Sequence, residues 1–353
     1  MAAVRLPAEF EHHDATLLAW PHNPADWPGK ITPARWAFVE FIRHAAESEY
    51  VHLIVPDEKT KAVVRRMLAD AHADLGAVRL RVLPLDRNWM RDCAPAFVHS
   101  GGKVKGVQFG FTAWAKYPNW QQDAKLPAAI CKALQIPLAP ARKGRDLVVL
   151  EGGAIDSNGL GTLLTTEECL LHPEVQVRNP GWGRADYERM FGEQLGIQQV
   201  LWLGDGIAGD DTHGHVDDLC RFVSKDTVVL CEETDPADAN YRPLQENRER
   251  LQGVKLAFGK RLQVVSLPMP APLNFRGIRL PASYANFYIT NQAVLVPTFN
   301  DPNDHYALGI LGELFPKRRV IGIHAVDLVW GFGTLHCLSH EIPAGEEIGY
   351  LIP

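Results

Sequence analysis

Apolar residues recur at helical spacing early in the chain. Thr32-Pro33 opens a segment through Glu47 with Trp36, Val39, Ile42 and Ala46 on one face. Pro56-Asp57 leads into Val63, Val64, Met67, Leu68 and Ala71 before Gly76. The same period, edged by Pro, Gly or Asp, predicts helices over 126–134, 184–195, 239–251 and 305–315. Short apolar runs predict strands over 51–55, 78–83, 104–109, 147–150, 161–165, 199–203, 227–231, 263–267, 293–296 and 320–324. Asn158-Gly159 reads as a hairpin turn. Helices alternating with short strands predict an α/β protein.

A shift of 241 positions lays His52-Leu-Ile-Val55-Pro56 on Ala293-Val-Leu-Val296-Pro297 and Asp86-x-x-Trp89 on Asp327-x-x-Trp330 without a gap. Each copy reads strand, helix, strand, Asp-x-x-Trp. Asp92 follows the first tryptophan and Cys337 the second, so pseudosymmetric modules would aim both at a common point. No polar linker or low-complexity run divides the chain, which predicts one continuous domain over residues 1–353.

Composition narrows the function. A net charge of −6 argues against a nucleic-acid binder. The start of the chain lacks the apolar core of a signal peptide, and no window approaches the roughly 18 apolar residues of a membrane helix. Six scattered cysteines without a Cys-x-x-Cys pair fit reduced thiols. These features predict a soluble cytoplasmic protein.

Four segments concentrate chemistry: Asn88-Trp-Met-Arg-Asp92, Glu151-Gly-Gly153, Asp211-Thr-His-Gly-His215-Val-Asp217-Asp218 and Gly331-Phe-Gly-Thr-Leu-His-Cys337. Cys337, approached through Gly331-x-Gly333, is the candidate nucleophile. A free thiol with a pKa of about 8.5 needs a base or cation to ionise it, and His215 or a cationic substrate would serve. His215 and Asp217, two residues apart, share a face if the segment is extended. Glu151 precedes two glycines that make room for a ligand, and Trp89 suits the wall of an apolar or cationic group. A flat guanidinium offers parallel donors that carboxylates accept in pairs, holding its carbon for attack.

The same residues allow a metal reading. Thr212-His-Gly-His-Val-Asp-Asp218 approximates the Thr-His-x-His-x-Asp-His pattern of metallo-β-lactamase-type hydrolases, with Asp218 in place of the last histidine. His213, His215 and Asp217 would then bind zinc. A guanidine-binding protein without turnover is a third reading, although it leaves Cys337 and His215 without a purpose.

Across nearly its whole length the sequence resembles the agmatine deiminases and their bacterial peptidylarginine deiminase relatives, members of the guanidine-modifying superfamily. The likeness runs through Leu6-Pro-Ala-Glu-Phe-Glu-His-His-Asp-Ala-Thr16, Ala19-Trp-Pro-His22, Trp89-Met-Arg-Asp92, Phe111-Thr-Ala-Trp114, Glu151-Gly-Gly153, Leu163-Leu-Thr-Thr-Glu167, Gly214-His-Val-Asp217 and Leu335-His-Cys337. The resemblance implies a five-bladed pseudosymmetric α/β propeller, or pentein, of repeated ββαβ modules. It makes Cys337 the nucleophile, His215 the general acid and base, Asp92 and Asp217 the guanidinium clamps, and Glu151 a partner of the histidine or substrate. It implies a small cationic guanidine substrate, first agmatine and then peptidylarginine or another guanidine, with no cofactor, metal, nucleic acid or membrane. A homo-oligomer is the family-level expectation.

Three departures bear on the substrate tail. Cys93-Ala94 follows Asp92 where the family commonly has a small polar residue and Gly, Ala115 stands where Gly is usual, and Leu338-Ser-His-Glu341 replaces a Thr-Gln-Gln run. Arg87, Arg91 and Arg221 lie near enough in sequence for one to meet a substrate carboxylate.

Overall fold

The computed structural model describes residues 4–345. The six long helices span Ile31–Ala45, Glu58–Asp70, Leu126–Leu134, Arg184–Leu195, Tyr241–Leu251 and Asp304–Leu314. Local chemistry sets their ends. Asp57 accepts the Thr60 N–H at 2.6 Å to cap the second helix, and Gly196, at φ 74°, turns the chain out of the fourth. In the first helix Phe38, Val39, Phe41 and Ile42 are buried, whereas Trp36, predicted on the apolar face, is 55% exposed. Val63 likewise faces solvent, and Val64 and Leu68 carry the buried side of the second helix.

Five sheets repeat one connection: a short strand antiparallel to a longer one, a helical crossover, then a third strand parallel to the second. They are Ala96–Ser100, Lys103–Gln108 and Leu138–Pro140; Asp156–Ser157, Thr162–Thr166 and Gln199–Leu203; Cys220–Phe222, Thr227–Glu232 and Gln263–Pro268; Tyr288–Ile289, Ala293–Thr298 and Arg319–His324; and, joining the two ends of the chain, Ser339–Pro343, His13–Ala19 and Tyr50–Val55. The last sheet gains a further parallel strand, Val78–Val82, across the second helix, and Val4–Arg5 pairs beside Ala96–Ser100. The Asn158-Gly159 turn joins Asp156–Ser157 to Thr162–Thr166 as predicted, and Asn158 Oδ1 accepts the N–H groups of Leu160 and Thr162.

Two expectations change. The 241-residue match superposes Tyr50–Val55, third in its sheet, on Ala293–Thr298, second in its own, so it is one strand out of phase with the sheet repeat. It captures instead the strand–helix–strand run that leads into a chemistry-bearing loop. The strand expected over 147–150 shrinks to Asp146–Leu147, because the Asn179 amide takes both backbone groups of Val149, at 3.0 and 2.8 Å.

Parallel strands flanked by helices read as continuous apolar runs because both faces are covered. Leu17, Leu18, Leu53, Ile54, Val228, Val229, Val294 and Leu295 are all buried. Among the described residues, no helix is long and apolar enough to cross a membrane. Cys93, Cys131, Cys169, Cys220, Cys231 and Cys337 are unpaired and buried.

Leu18 sits in the strand that bonds both to the C-terminal strand and to Tyr50–Val55. Leu18→Ala should therefore lower unfolding stability by about 3 kcal/mol, read as a fall in denaturant midpoint at unchanged slope.

Candidate active site

In each of the five sheets the first, antiparallel strand is preceded by a loop that carries one or two polar groups of the cluster. Asp92 comes before Ala96–Ser100, Glu151 before Asp156–Ser157, His215 and Asp217 before Cys220–Phe222, Asn286 before Tyr288–Ile289, and Cys337 before Ser339–Pro343. The five residues expected to form the site are brought together and buried.

Cys337 Sγ lies 3.6 Å from Asp217 Oδ2 and 3.0 Å from the Asn286 amide nitrogen. Asp92 accepts the indole N–H of Trp114 at 2.9 Å and the Gly153 N–H at 3.0 Å. His215 lies between two acids, with Nδ1 3.8 Å from Asp92 Oδ1 and Nε2 3.9 Å from Glu151 Oε2. Neither ring nitrogen makes a close hydrogen bond, and Asp217 Oδ1 is buried without a partner. Such unmatched buried atoms are costly, and here they lie beside Cys337 and Asp92, which line the cavity described below.

Local structure explains the placement. Asp210 accepts the N–H groups of Thr212, Gly214 and His215 and the Thr212 hydroxyl, winding Thr212-His-Gly-His215 into a tight loop with Gly214 at φ 90°. A Cβ on Gly153 would lie 2.5 Å from His215 Nδ1, 3.0 Å from Asp92 Oδ1 and 3.1 Å from Asp217 Oδ2. That glycine keeps open the space between the acids.

Charge is balanced from behind. Burial opposes ionisation of Glu151, but Arg178, with Nε 3.2 Å from both carboxylate oxygens, brings its pKa down to about 2. Burial raises Asp92 to about 6, with His215 working against the shift and Asp217 and Glu151 adding to it. Burial and the nearby Asp217, Asp218 and Asp92 push the Cys337 thiol well above its usual value. Burial disfavours a charged His215, yet Asp92 and the neighbouring Cys169 and Glu151 hold its pKa well above the ordinary histidine range. Together these influences disfavour ionisation of the thiol and favour protonation of the imidazole beside it.

A cavity of about 460 Å³ opens onto Cys337 and Asp92. Trp89, Trp114, Tyr117, Trp330 and Phe332 contribute aromatic wall to it. Trp89 does so while also stacking on Trp27, with centroids 5.4 Å apart. Of the three candidate arginines only Arg87 lines the cavity, and it is committed to Asp26 at 2.6 Å. Arg91 and Arg221 instead meet Glu9, each at 3.0 Å.

His213 does not join His215. Its Nδ1 faces Glu168 at 3.2 Å and its ring packs on His172. Among the described residues, the donor groups close enough to share an ion are Glu151, Cys169 and His215, and Asp217, Asp218 and Cys337. The set His213, His215 and Asp217 is not assembled, and Glu151 is already engaged by Arg178.

Sequence reasoning missed Asn286, Arg178 and His336. Asn286 donates to Cys337 Sγ and Asp218 Oδ1 and accepts from the Thr334 hydroxyl and the His336 N–H. The only available signal was its position, two residues ahead of a short strand. Two departures also find their place. Ala115 takes φ 53° in a left-handed run, where glycine would be unstrained, and Glu341 pairs with Arg91 at 2.8 Å.

A buried cysteine, an imidazole and converging carboxylates beside an aromatic-walled cavity accompany the comparisons that follow, which make the chain a hydrolase of C–N bonds in guanidino groups. The model of the Porphyromonas-type peptidyl-arginine deiminase family matches residues 5–343, and the chain belongs to this family. It is 34% identical to an agmatine deiminase of Pseudomonas aeruginosa, over 96% of this chain and 95% of that one. The solved structure of an agmatine deiminase of Enterococcus faecalis superposes with a TM-score of 0.88 at 30% identity, covering 97% of this chain and 96% of that one. An amidinotransferase of Microseira wollei, at 12% identity and a TM-score of 0.53 over 99% of each chain, shares the fold alone.

Gly153→Ala should lower turnover by about 100-fold, because a misplaced acid or base forfeits alignment. Thermal unfolding should move little, since the added methyl meets the site rather than the core.

Proposed function

We propose that this protein is an agmatine deiminase, converting agmatine and water to N-carbamoylputrescine and ammonia. The observation that carries the reading is the buried thiol set among Asp92, Asp217 and His215, with one oxygen of Asp217 left free.

The guanidinium is held by Asp92 and Asp217 with its carbon facing Cys337 Sγ. Its positive charge offsets the carboxylates that hold the thiol neutral, so binding itself favours loss of the thiol proton to solvent. The thiolate adds to the guanidinium carbon, and the imidazolium of His215 gives its proton to the departing nitrogen, which leaves as ammonia. An amidino-thioether remains on Cys337. The neutral His215 then takes a proton from water, whose oxygen attacks the same carbon; the C–S bond breaks to free the thiolate, and the new hydroxyl gives its proton to solvent as the neutral ureido product leaves. Glu151, fixed by Arg178, orients His215 throughout.

The aromatic wall suits a methylene chain and favours agmatine over free arginine. The five repeated ββαβ units support a five-bladed propeller closed by the pairing of Ser339–Pro343 with His13–Ala19, and one catalytic domain. Cytoplasmic action in polyamine synthesis and assembly into a homo-oligomer complete the proposal.

Ammonia and ureido product should form from agmatine in preference to arginine and an arginine peptide, and Cys337→Ala should abolish turnover while leaving the circular dichroism spectrum unchanged. Turnover of another guanidine alone would keep the chemistry and replace the substrate; activity in pure Cys337→Ala would remove the nucleophile.

The pH dependence follows from the acids. Asp92, with its pKa at about 6, is neutral below that pH and a clamp above it. We expect kcat/KM to rise as pH climbs through about 6 and to fall at alkaline pH as His215 loses its proton.

A further inference from the structure

His336, next to the nucleophile, has its side chain behind the clamp rather than in the cavity. Its Nδ1 lies 2.6 Å from Asp217 Oδ2 and its Nε2 2.8 Å from Glu9 Oε2. An ionised carboxylate only accepts, so Nδ1 is the donor to Asp217, while Nε2 faces Glu9. Glu9 is itself fixed: it accepts the Ile289 N–H at 2.9 Å and meets the guanidinium groups of Arg91 and Arg221. The far side of His336 faces a polar cavity of about 40 Å³ that it shares with Glu9, Arg91 and His340. The backbone of His336 is held independently, its N–H by Asn286 Oδ1 at 3.1 Å and its carbonyl by the Ser339 N–H at 3.0 Å. The imidazole is therefore left to its two carboxylates, Asp217 and Glu9. With Oδ2 of Asp217 occupied, Oδ1 is the oxygen left buried and unpartnered.

We infer that His336 is a positioning residue for the guanidine clamp: it pins Asp217 through Oδ2 and so reserves Oδ1 for the substrate. The inference rests on the deiminase reading. A buried carboxylate that has lost its charged donor either rotates or takes up a proton, and both remove the acceptor that the guanidinium needs. The groups facing Asp217 divide into those that oppose its charge, Asp218 and Asp92, and those that favour it, His336, His215, Arg221 and the neutral Cys337 thiol, which lies 3.6 Å from the same Oδ2. Among the favourable groups His336 makes the short hydrogen bond, so it controls the direction of the carboxylate as well as its charge.

Two isosteric halves of the imidazole provide the test. In His336→Asn the amide nitrogen replaces Nδ1 and keeps the bond to Asp217 while losing Glu9. In His336→Gln it replaces Nε2 and keeps Glu9 while losing Asp217. A packing role would treat the two variants alike. We expect His336→Asn to hold its KM for agmatine within about threefold, and His336→Gln to raise it about 30-fold or more with a smaller effect on kcat, approaching Asp217→Asn. Equal KM values in the two variants, or a loss confined to kcat, would overturn the inference.

If His336→Gln does not fold, a second measurement decides. Imidazole ¹⁵N–¹H spectra of folded Cys337→Ala, assigned by His336→Asn, should show a strongly downfield Nδ1 proton of His336 that moves when agmatine binds; an unmoved resonance at saturation overturns the proposal. Wild-type protein that turns over no guanidine would instead defeat the deiminase reading itself, which separates the two failures.

Discussion

Carboxylates buried around one thiol form the constraint on which the rest of the site depends. Asp92, Glu151, Asp217 and Asp218 are all removed from water, and carboxylates taken out of water need cations or donors close by. The protein supplies these from the rear: Arg178 to Glu151, His336 to Asp217, and Asn286 to Asp218. On the cavity side the compensation stops. Under the proposed chemistry, a flat cation would complete this balance, and selectivity and activation of the thiol would have one electrostatic origin.

The fold distributes this chemistry evenly. Each of five ββαβ units ends in a loop that drops a single polar group or an adjacent pair toward the same place, so no unit contains a working site and none can be spared. Rigidity comes from the parallel strands and their crossover helices, while the loops carry function. Glycines appear where a side chain would fill the reaction space: Gly153 between the acids and Gly333 against Cys337 and Trp89.

Long helices were legible in the sequence because a period of 3.6 over ten or more residues is hard to counterfeit, and the predicted limits at 126–134 and 184–195 match the structure. The short inner strands were not. Asp156–Ser157, Cys220–Phe222 and Tyr288–Ile289 have two or three residues and are buried on both faces, so they show neither length nor alternation. Trp36 failed for the opposite reason: an apolar residue at the right spacing stood at the edge of the stripe and faced solvent. In the site, Cys337, His215 and the three carboxylates declared themselves through clustered motifs. His336, Asn286 and Arg178 did not, since what makes them important is contact with residues 27 to 119 positions away, such as Glu151 from Arg178 and Asp217 from His336.

The pairing of Ser339–Pro343 with His13–Ala19 joins segments far apart in sequence. Contacts of such high sequence separation form late and slowly in folding. Cys337 lies two residues ahead of Ser339, so its thiol reaches the pocket in the same event that completes the sheet. Closure of the fold and assembly of the polar cluster are thus one step rather than two.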